Sequence, residues 1–390
     1  MHKVNYLTYC TNIHPGETIH EIKQHLLNYT ARLFTGDKPT GLRLSARSTE
    51  ELLCNDALDH FCEFLNEHRI MVPFINGFPY GNFHKQKVKE NVYFPDWTDK
   101  RRVAYTSQLM HCISRMPGPD SRSISTVPCS YKTASPDNNS LLQLQSAQNL
   151  CHSILNAKKI YQETGISISI DLEPEIDCLL ENSQDVINFF EQFLRPACQK
   201  HSIPEHEIAQ FCGVCFDSCH YAVVHADPYD SVTLLRKYGI TIHRMQISSA
   251  LKVTIRNKED LALLKDFNDP VYLHQTSIRK KTPSSQSLTD LHRFKDLPDA
   301  FLSEILGEWR IHYHIPIFMK QEDFHYTGFD STGDELAIHT QLLLPECNFF
   351  EVETYTYDVL PNFIKEDLLQ SLHKELMFAN NKLNIHAITD

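Results

Sequence analysis

No stretch of the 390 residues approaches the ~18 apolar residues of a membrane span. The opening MHKVNYLTYCTNIHPGE also lacks the apolar core of roughly 7–15 residues that a secretion signal requires. Direct membrane insertion is therefore not expected, and a soluble, cytoplasmic protein is. Basic charge is scarce as well: 37 Lys plus Arg stand against 49 Asp plus Glu, a net charge of −12 that repels phosphate backbones unless cations gather locally. They do not. The strongest run, Arg279, Lys280 and Lys281, opens the polar stretch TPSSQSLTD and reads as a solvated loop, so no nucleic-acid partner is expected. The twelve Cys are too scattered for a disulfide scaffold and fit reduced, buried thiols. No internal repeat or low-complexity tract is present.

What is present is an alternation of short apolar runs with longer helical patterns, the layout of an α/β fold with parallel strands. Strands are expected at 5–12, 41–46, 70–77, 123–128, 166–173, 211–217, 241–248 and 348–355. Helices follow them, such as the stripe Ile19, Ile22, Leu26, Tyr29 and Leu33 and the segment Thr49 to His68. Eight such units predict a (β/α)8 TIM barrel forming a single domain over 1–390. The pattern departs at about 270–320, where VYLHQTSIR and WRIHYHIPIF read as two extra strands flanking a short helix from Pro298 to Leu306. They form a strand-rich insertion before the last barrel strand, and Phe363 to Asn380 forms the closing helix.

Four strand-like segments end in polar groups: SISIDLEPE, CGVCFDSCH, HRMQISSAL and FFEVETYTYD deliver Glu173, Asp217 with His220, Gln246 and Glu353. Strand parity tests whether these side chains face inward. Ser167, Ser169, Asp171 and Glu173 oppose Ile166, Ile168, Ile170 and Leu172, while Gly213, Cys215 and Asp217 oppose Cys212, Val214 and Phe216. Both strands divide into a small or polar face and a large apolar face, which places Glu173 and Asp217 at the carboxyl ends of inward faces. Glu351 and Glu353 share a face too, and Glu353 lies nearer the strand end. Carboxylates and imidazoles converging this way suit Mn²⁺, Mg²⁺ or Zn²⁺. The CGVC pair is read as structural, because Cys212 and Cys215 point to opposite faces of one strand.

Around this centre, substrate contacts are expected from His14 after the first strand, Asn76 and His84 after the third, Lys132 after the fourth, and His220. His274, His312 and His314 of the insertion are further candidates, and Phe78, Tyr80 and Phe83 form the wall.

The segments TYCTNIHPGE, GLRLSA, FINGFPYGNFH, VKENVYFPDW, SISTVP, RMQISSAL, YLHQ, WRIHYHIPIF and EVETYTYDVLP together resemble the EboE metabolite traffic proteins, over about residues 7 to 361. EboE proteins are similar in turn to the xylose isomerase-like TIM barrels. That resemblance implies a divalent metal held at the strand ends by Glu173, Asp217, Gln246 and Glu353, and Asp217-Ser-Cys-His220 matches the superfamily's D-x-x-H pattern. Gln246 departs from the His that epimerases carry there. For function it implies movement of a metabolite precursor toward the cell envelope, with a small-molecule metabolite and other proteins of an Ebo-type gene cluster as partners.

Three readings follow. The first is a metal-dependent isomerase or epimerase in which Glu173 and Glu353 exchange a proton beside a polarised carbonyl. The second is a barrel that binds a metabolite without turnover, and the third a metal-dependent phosphoesterase.

Overall fold

The computed structural model describes residues 5–82, 89–280 and 290–385. Seven strands alternate with helices along the first two thirds of the chain: β1 (Tyr6–Tyr9), β2 (Lys38–Arg43), β3 (Ile70–Asn76), β4 (Ser121–Thr126), β5 (Ser167–Leu172), β6 (Cys212–Asp217) and β7 (Ile242–Ile247). An inserted group follows: β8 (Ala250–Ile255), β9 (Thr276–Lys280), β10 (Leu291–Phe294), β11 (Gly307–His314) and β12 (Phe329–Ser331). The strand β13 (Phe349–Val352) returns to the first sheet.

That first sheet is parallel throughout and runs β1-β13-β7-β6-β5-β4-β3-β2. Its ends meet at a parallel bridge between Cys10 and Gly41, which closes the sheet on itself. The fold is the (β/α)8 barrel that the strand–helix alternation indicated. Its packing follows the parity rule: Ile168, Ile170 and Leu172 of β5 are fully buried against the helices, while the hydroxyls of Ser123 and Ser169 donate to Asp171 inside. The long helix Pro136–Thr164 has local causes at both ends, a Ser135 cap with Pro136 in the first turn and Gly165 at φ 77 terminating it.

Two differences from the sequence reading change the layout of elements. The helix expected from Thr49 to His68 is two, Ala46–Leu52 and Ala57–Glu67, parted at Asn55 with φ 51. The strand-rich segment starts before 270: only Ser248 and Ser249 separate β7 from β8, and the added strands run to Ser331. These five strands form an antiparallel sheet in the order β10-β9-β11-β8-β12. Strand β11 packs on the helix Ser218–Val223 at the carboxyl end of β6, so the second sheet lies against the mouth of the barrel.

Among the described residues, no helix is long and apolar enough to cross a membrane. All twelve cysteines are free thiols.

Candidate metal centre at the barrel mouth

Adjacent strands set the level of the site. Glu351 of β13 pairs with Gln246 of β7, and Gln246 with Asp217 of β6. At and beneath this level the barrel interior sets opposite charges against each other. Arg244 reaches Glu351 Oε2 at 3.4 Å and stacks 4.9 Å above Phe74, and Asp171 pairs with His243 Nδ1 at 2.7 Å. A register shift between Val214 and Cys215 lets the consecutive residues His243 and Arg244 both serve the interior.

At the carboxyl ends of the strands, donor atoms of Glu173, Asp217 and Glu353 all lie within 4.8 Å of one another, and all three side chains are buried. Asp217 is fixed first. Its Oδ1 accepts from Ser248 Oγ at 2.6 Å and from the His220 N–H at 3.1 Å, where it caps the helix Ser218–Val223. Its Oδ2 is left without a hydrogen bond, as is Glu173 Oε2. Glu353 Oε1 accepts from Asn12 Nδ2 at 3.1 Å. Three buried carboxylates facing one point, two with bare oxygens, form a set that a divalent cation would complete.

The titration behaviour has the same origin. Burial pushes Glu173 up to about 8, with Asp217 adding to the effect and His220 opposing it. Burial, reinforced by Glu173 and Asp217, holds Glu353 well above the usual carboxylate range. Burial also acts to raise Asp217, but His220 and the hydrogen bonds from Ser248 and the His220 N–H outweigh it and keep the group below its usual value.

Imidazoles surround the carboxylates. His220 donates from Nδ1 to Pro174 O at 2.9 Å, which turns Nε2 toward Asp217 Oδ2 at 3.8 Å. His312 donates from Nδ1 to Gln275 Oε1 at 2.8 Å; Gln275 Nε2 donates to Tyr93 Oη at 3.0 Å, and Tyr93 donates to Glu175 Oε1 at 2.6 Å. His314 of β11 is fully buried, and burial pushes it down to about 4, so it is neutral. Its donor atoms fall within 4.8 Å of those of Asp217 and His220. Glu175, His220 and His312 form another such group, but there Glu175 and His312 are already engaged by Tyr93 and Gln275.

A cavity of about 90 Å³ reaches this centre, lined by Asn12, Asn76, Phe78, Tyr93, Tyr272 and Tyr355 with Glu173, Glu175, His220, His312 and Glu353. Of the substrate contacts expected from sequence, Asn76, His220 and His312 line it, and His314 does not. His14 does not: it stacks between His25 and Tyr29 and hydrogen-bonds Tyr9 Oη at 3.1 Å. Lys132 pairs with Glu181 at 2.9 Å, outside the cavity lining. His274 has both nitrogens occupied, Nδ1 by His312 O and Nε2 by Asp269, and so braces the inserted sheet. His84 and Phe83 lie outside the described residues, and Tyr80 packs on Tyr105.

Glu175, Tyr93, Gln275 and Tyr355 are site residues that sequence reasoning missed. Glu175 shares the parity of Glu173, and the repeat Glu-Pro-Glu was the available signal. Gln246, expected among the metal ligands, is fully buried beside Asp217, and neither atom of its amide finds a partner.

No family model matches the chain, and no curated protein matches it. Solved structures do. A xylose isomerase domain protein from Planctomyces limnophilus aligns at 13% identity and TM-score 0.48 over 98% of this chain and 99% of that one. D-Allulose 3-epimerase from Methylomonas sp., in complex with D-allulose, aligns at 10% identity and TM-score 0.48 over 97% and 96%. The IOLI protein with a bound zinc atom aligns at 10% identity and TM-score 0.44 over 99% and 100%. The likeness is one of fold.

Proposed function

We propose that this barrel is a metal-dependent isomerase or epimerase acting on a small hydroxylated carbonyl compound of sugar-like polarity. The observation that carries the reading is the convergence of Glu173, Asp217 and Glu353 within 4.8 Å at the base of a cavity. These residues would hold the ion, and an oxygen-rich set favours Mn²⁺ or Mg²⁺ while an added imidazole admits Zn²⁺. When bound, the ion supplies Lewis-acid polarisation of a carbonyl and its neighbouring hydroxyl.

The chain supplies the rest. Glu353 and Glu173 come from strands separated by β7 and β6 in the sheet, so they approach a cavity ligand from different sides. Glu353, ionised once a cation compensates its charge, takes the proton from the carbon beside the carbonyl, and Glu173 in its protonated form returns one to that carbon or its neighbour. Asn12 fixes Glu353 Oε1 during the exchange, and His220 presents Nε2 to a ligand oxygen. Tyr93, Tyr272, Tyr355 and Phe78 form the aromatic walls of the cavity.

A second reading keeps the cavity without turnover: a metabolite-binding barrel in precursor export, working with proteins of an Ebo-type gene cluster. The amide of Gln246, a weaker ligand than imidazole, favours it. Metal analysis of the purified protein, followed by exchange of carbon-bound hydrogen into deuterated water with a panel of ketoses and hydroxyketones, separates the two. Turnover predicts a stoichiometric divalent ion and exchange that Glu353→Gln slows by roughly 10²–10⁴-fold. Ligand binding with no exchange from any panel member supports the binding reading instead.

A further inference from the structure

The proposed centre has three carboxylates and, on the barrel strand where a fourth ligand is expected, only the amide of Gln246. Resting on the metal reading above, we infer that the nitrogen ligand of the ion is His314, delivered not by the barrel but by the inserted sheet.

Position is the first argument. His314 pairs with Ala250 at the start of β8, and the Ile315 N–H donates to Ser249 O at 3.0 Å. Since only Ser248 and Ser249 separate β7 from β8, these contacts pin the His314 backbone just past the end of the strand that carries Gln246. A shift in the β8–β11 register between Ile311 and His314 accompanies this placement.

The second argument is which nitrogen is free. His314 Nδ1 donates to the main-chain oxygen of Glu353 at 2.8 Å, so the lone pair is on Nε2. That atom is buried and has no hydrogen-bond partner. His314 Nε2, Asp217 Oδ2 and Glu173 Oε2 all lack a hydrogen-bond partner, and Asp217 joins the two donor groups, lying within 4.8 Å of Glu173 and Glu353 in one and of His220 and His314 in the other. A neutral imidazole whose other nitrogen is bound to a carbonyl is the form in which His ligates metals.

The third argument is access. Glu173, Glu353 and His220 line the cavity, whereas Asp217 and His314 do not. An ion held from behind by Asp217 and His314 and flanked by Glu173 and Glu353 keeps its cavity side open for a ligand oxygen, the arrangement a catalytic site needs. His220 on the cavity side is then left for the ligand, and His312 is tied to Gln275.

Pulsed EPR of the Mn²⁺-loaded full-length protein tests this, because ¹⁴N modulation reports a coordinated imidazole directly. The wild type is expected to bind one Mn²⁺ with imidazole coupling. His314→Ala is expected to lose the coupling and bind Mn²⁺ at least about 10-fold more weakly in chelator competition, while His220→Ala keeps it. His314→Asn retains a donor for the Glu353 carbonyl and is expected to fold and lose the coupling as His314→Ala does. Imidazole coupling that survives in a folded, Mn²⁺-loaded His314→Asn overturns the inference and leaves the metal reading standing. A wild type that takes up no divalent ion overturns the metal reading, and this inference with it.

Discussion

Glu375 shows what burial of one carboxylate does outside the site. It sits fully buried on the closing helix Leu368–Lys382, where one oxygen accepts from Thr354 Oγ1 at 2.6 Å and from the Ile317 N–H at 3.1 Å, and Oε2 has no partner. Burial pushes its pKa from 4.5 up to about 7. A folded-state value above the unfolded one means that the proton favours folding. The stabilisation is complete below about 4.5 and is lost as pH rises to about 7. Glu375→Gln keeps the accepting oxygen and removes the charge. The substitution is therefore expected to stabilise the protein by ~2–3 kcal/mol more at pH 8 than at pH 5. Urea denaturation at the two pH values checks it, and an equal shift at both would show that Glu375 is not protonated on folding. Glu375 also marks a limit of legibility: a helix residue at the amphipathic boundary gives no sign in sequence that it will be enclosed by segments from elsewhere. Glu173, Asp217 and Glu353 were legible because Asp217 ends its strand and the Glu173 and Glu353 N–H groups, one residue past theirs, still donate to the neighbouring strands, so that parity still decides which way they point. His14, Lys132 and His274 were not, because each follows or precedes a strand in a segment where parity no longer applies, and local partners fix their direction.

At the scale of elements, the closure of the barrel depends on a missing side chain. Gly41 on β2 bridges Cys10, and a methyl group there would lie 1.9 Å from Glu351 Oε1 and 2.8 Å from the Phe74 ring. Glu351 thus lies across β1 against the β2 backbone while its other oxygen faces Arg244. Gly41→Ala must displace that carboxylate from Arg244, and the expected cost is ~2–4 kcal/mol. In a Glu351→Ala background the same substitution meets only the Phe74 edge and should cost much less. A double-mutant cycle in urea measures the coupling, and strict additivity would remove the contact from this account. Gly41 itself was visible in GLRLSA, but its strand was expected to run to Ala46. It ends at Arg43 because Ser45 caps the next helix, accepting from the Ser48 N–H. β12, three residues long, is too short to show alternation, and β8 was not read as a strand of its own because HRMQISSAL reads as one run. The pair Ser248–Ser249 breaks it, with Ser248 turned to Asp217. Pairing order within the second sheet rests on contacts distant in sequence, which no single segment carries.

For the whole molecule, the sum of the buried titratable groups sets a pH profile that a bound ion should reshape. Glu173 titrates at about 8, Glu353 is raised well above the usual range, and His220 is raised too, burial lowering it but Asp217, Glu175 and Glu173 outweighing that. Each of these holds its proton more tightly folded than unfolded, so each loses stabilisation as pH rises through its folded value. Burial lowers His314 to about 4 and His339 to about 3, and pushes His312 well below 6.5. These imidazoles are destabilising only when forced to charge, so their stabilisation is present above about 6.5 and lost as pH falls. Below that value the two sets oppose each other. Between about 6.5 and 8 the low-pKa imidazoles are neutral in both states, and the slope comes from the groups with raised values: those at the mouth of the barrel, with His243 of its floor and, in the lower part of the window, Glu375. In chelator the melting temperature is therefore expected to fall across this window. With Mn²⁺ present, Glu173, Asp217 and Glu353 are charge-compensated, the folded state retains fewer of their protons, and the fall should be reduced. The gain from the ion must then grow with pH, and linkage adds to it as free ion rises above its dissociation constant. Melting curves with Mn²⁺ and with chelator at half-unit steps measure the difference directly. An ion-dependent gain that stays constant from pH 6.5 to 8 would mean that the ion binds away from Glu173 and Glu353, because only ligands that give up protons on binding make the gain depend on pH.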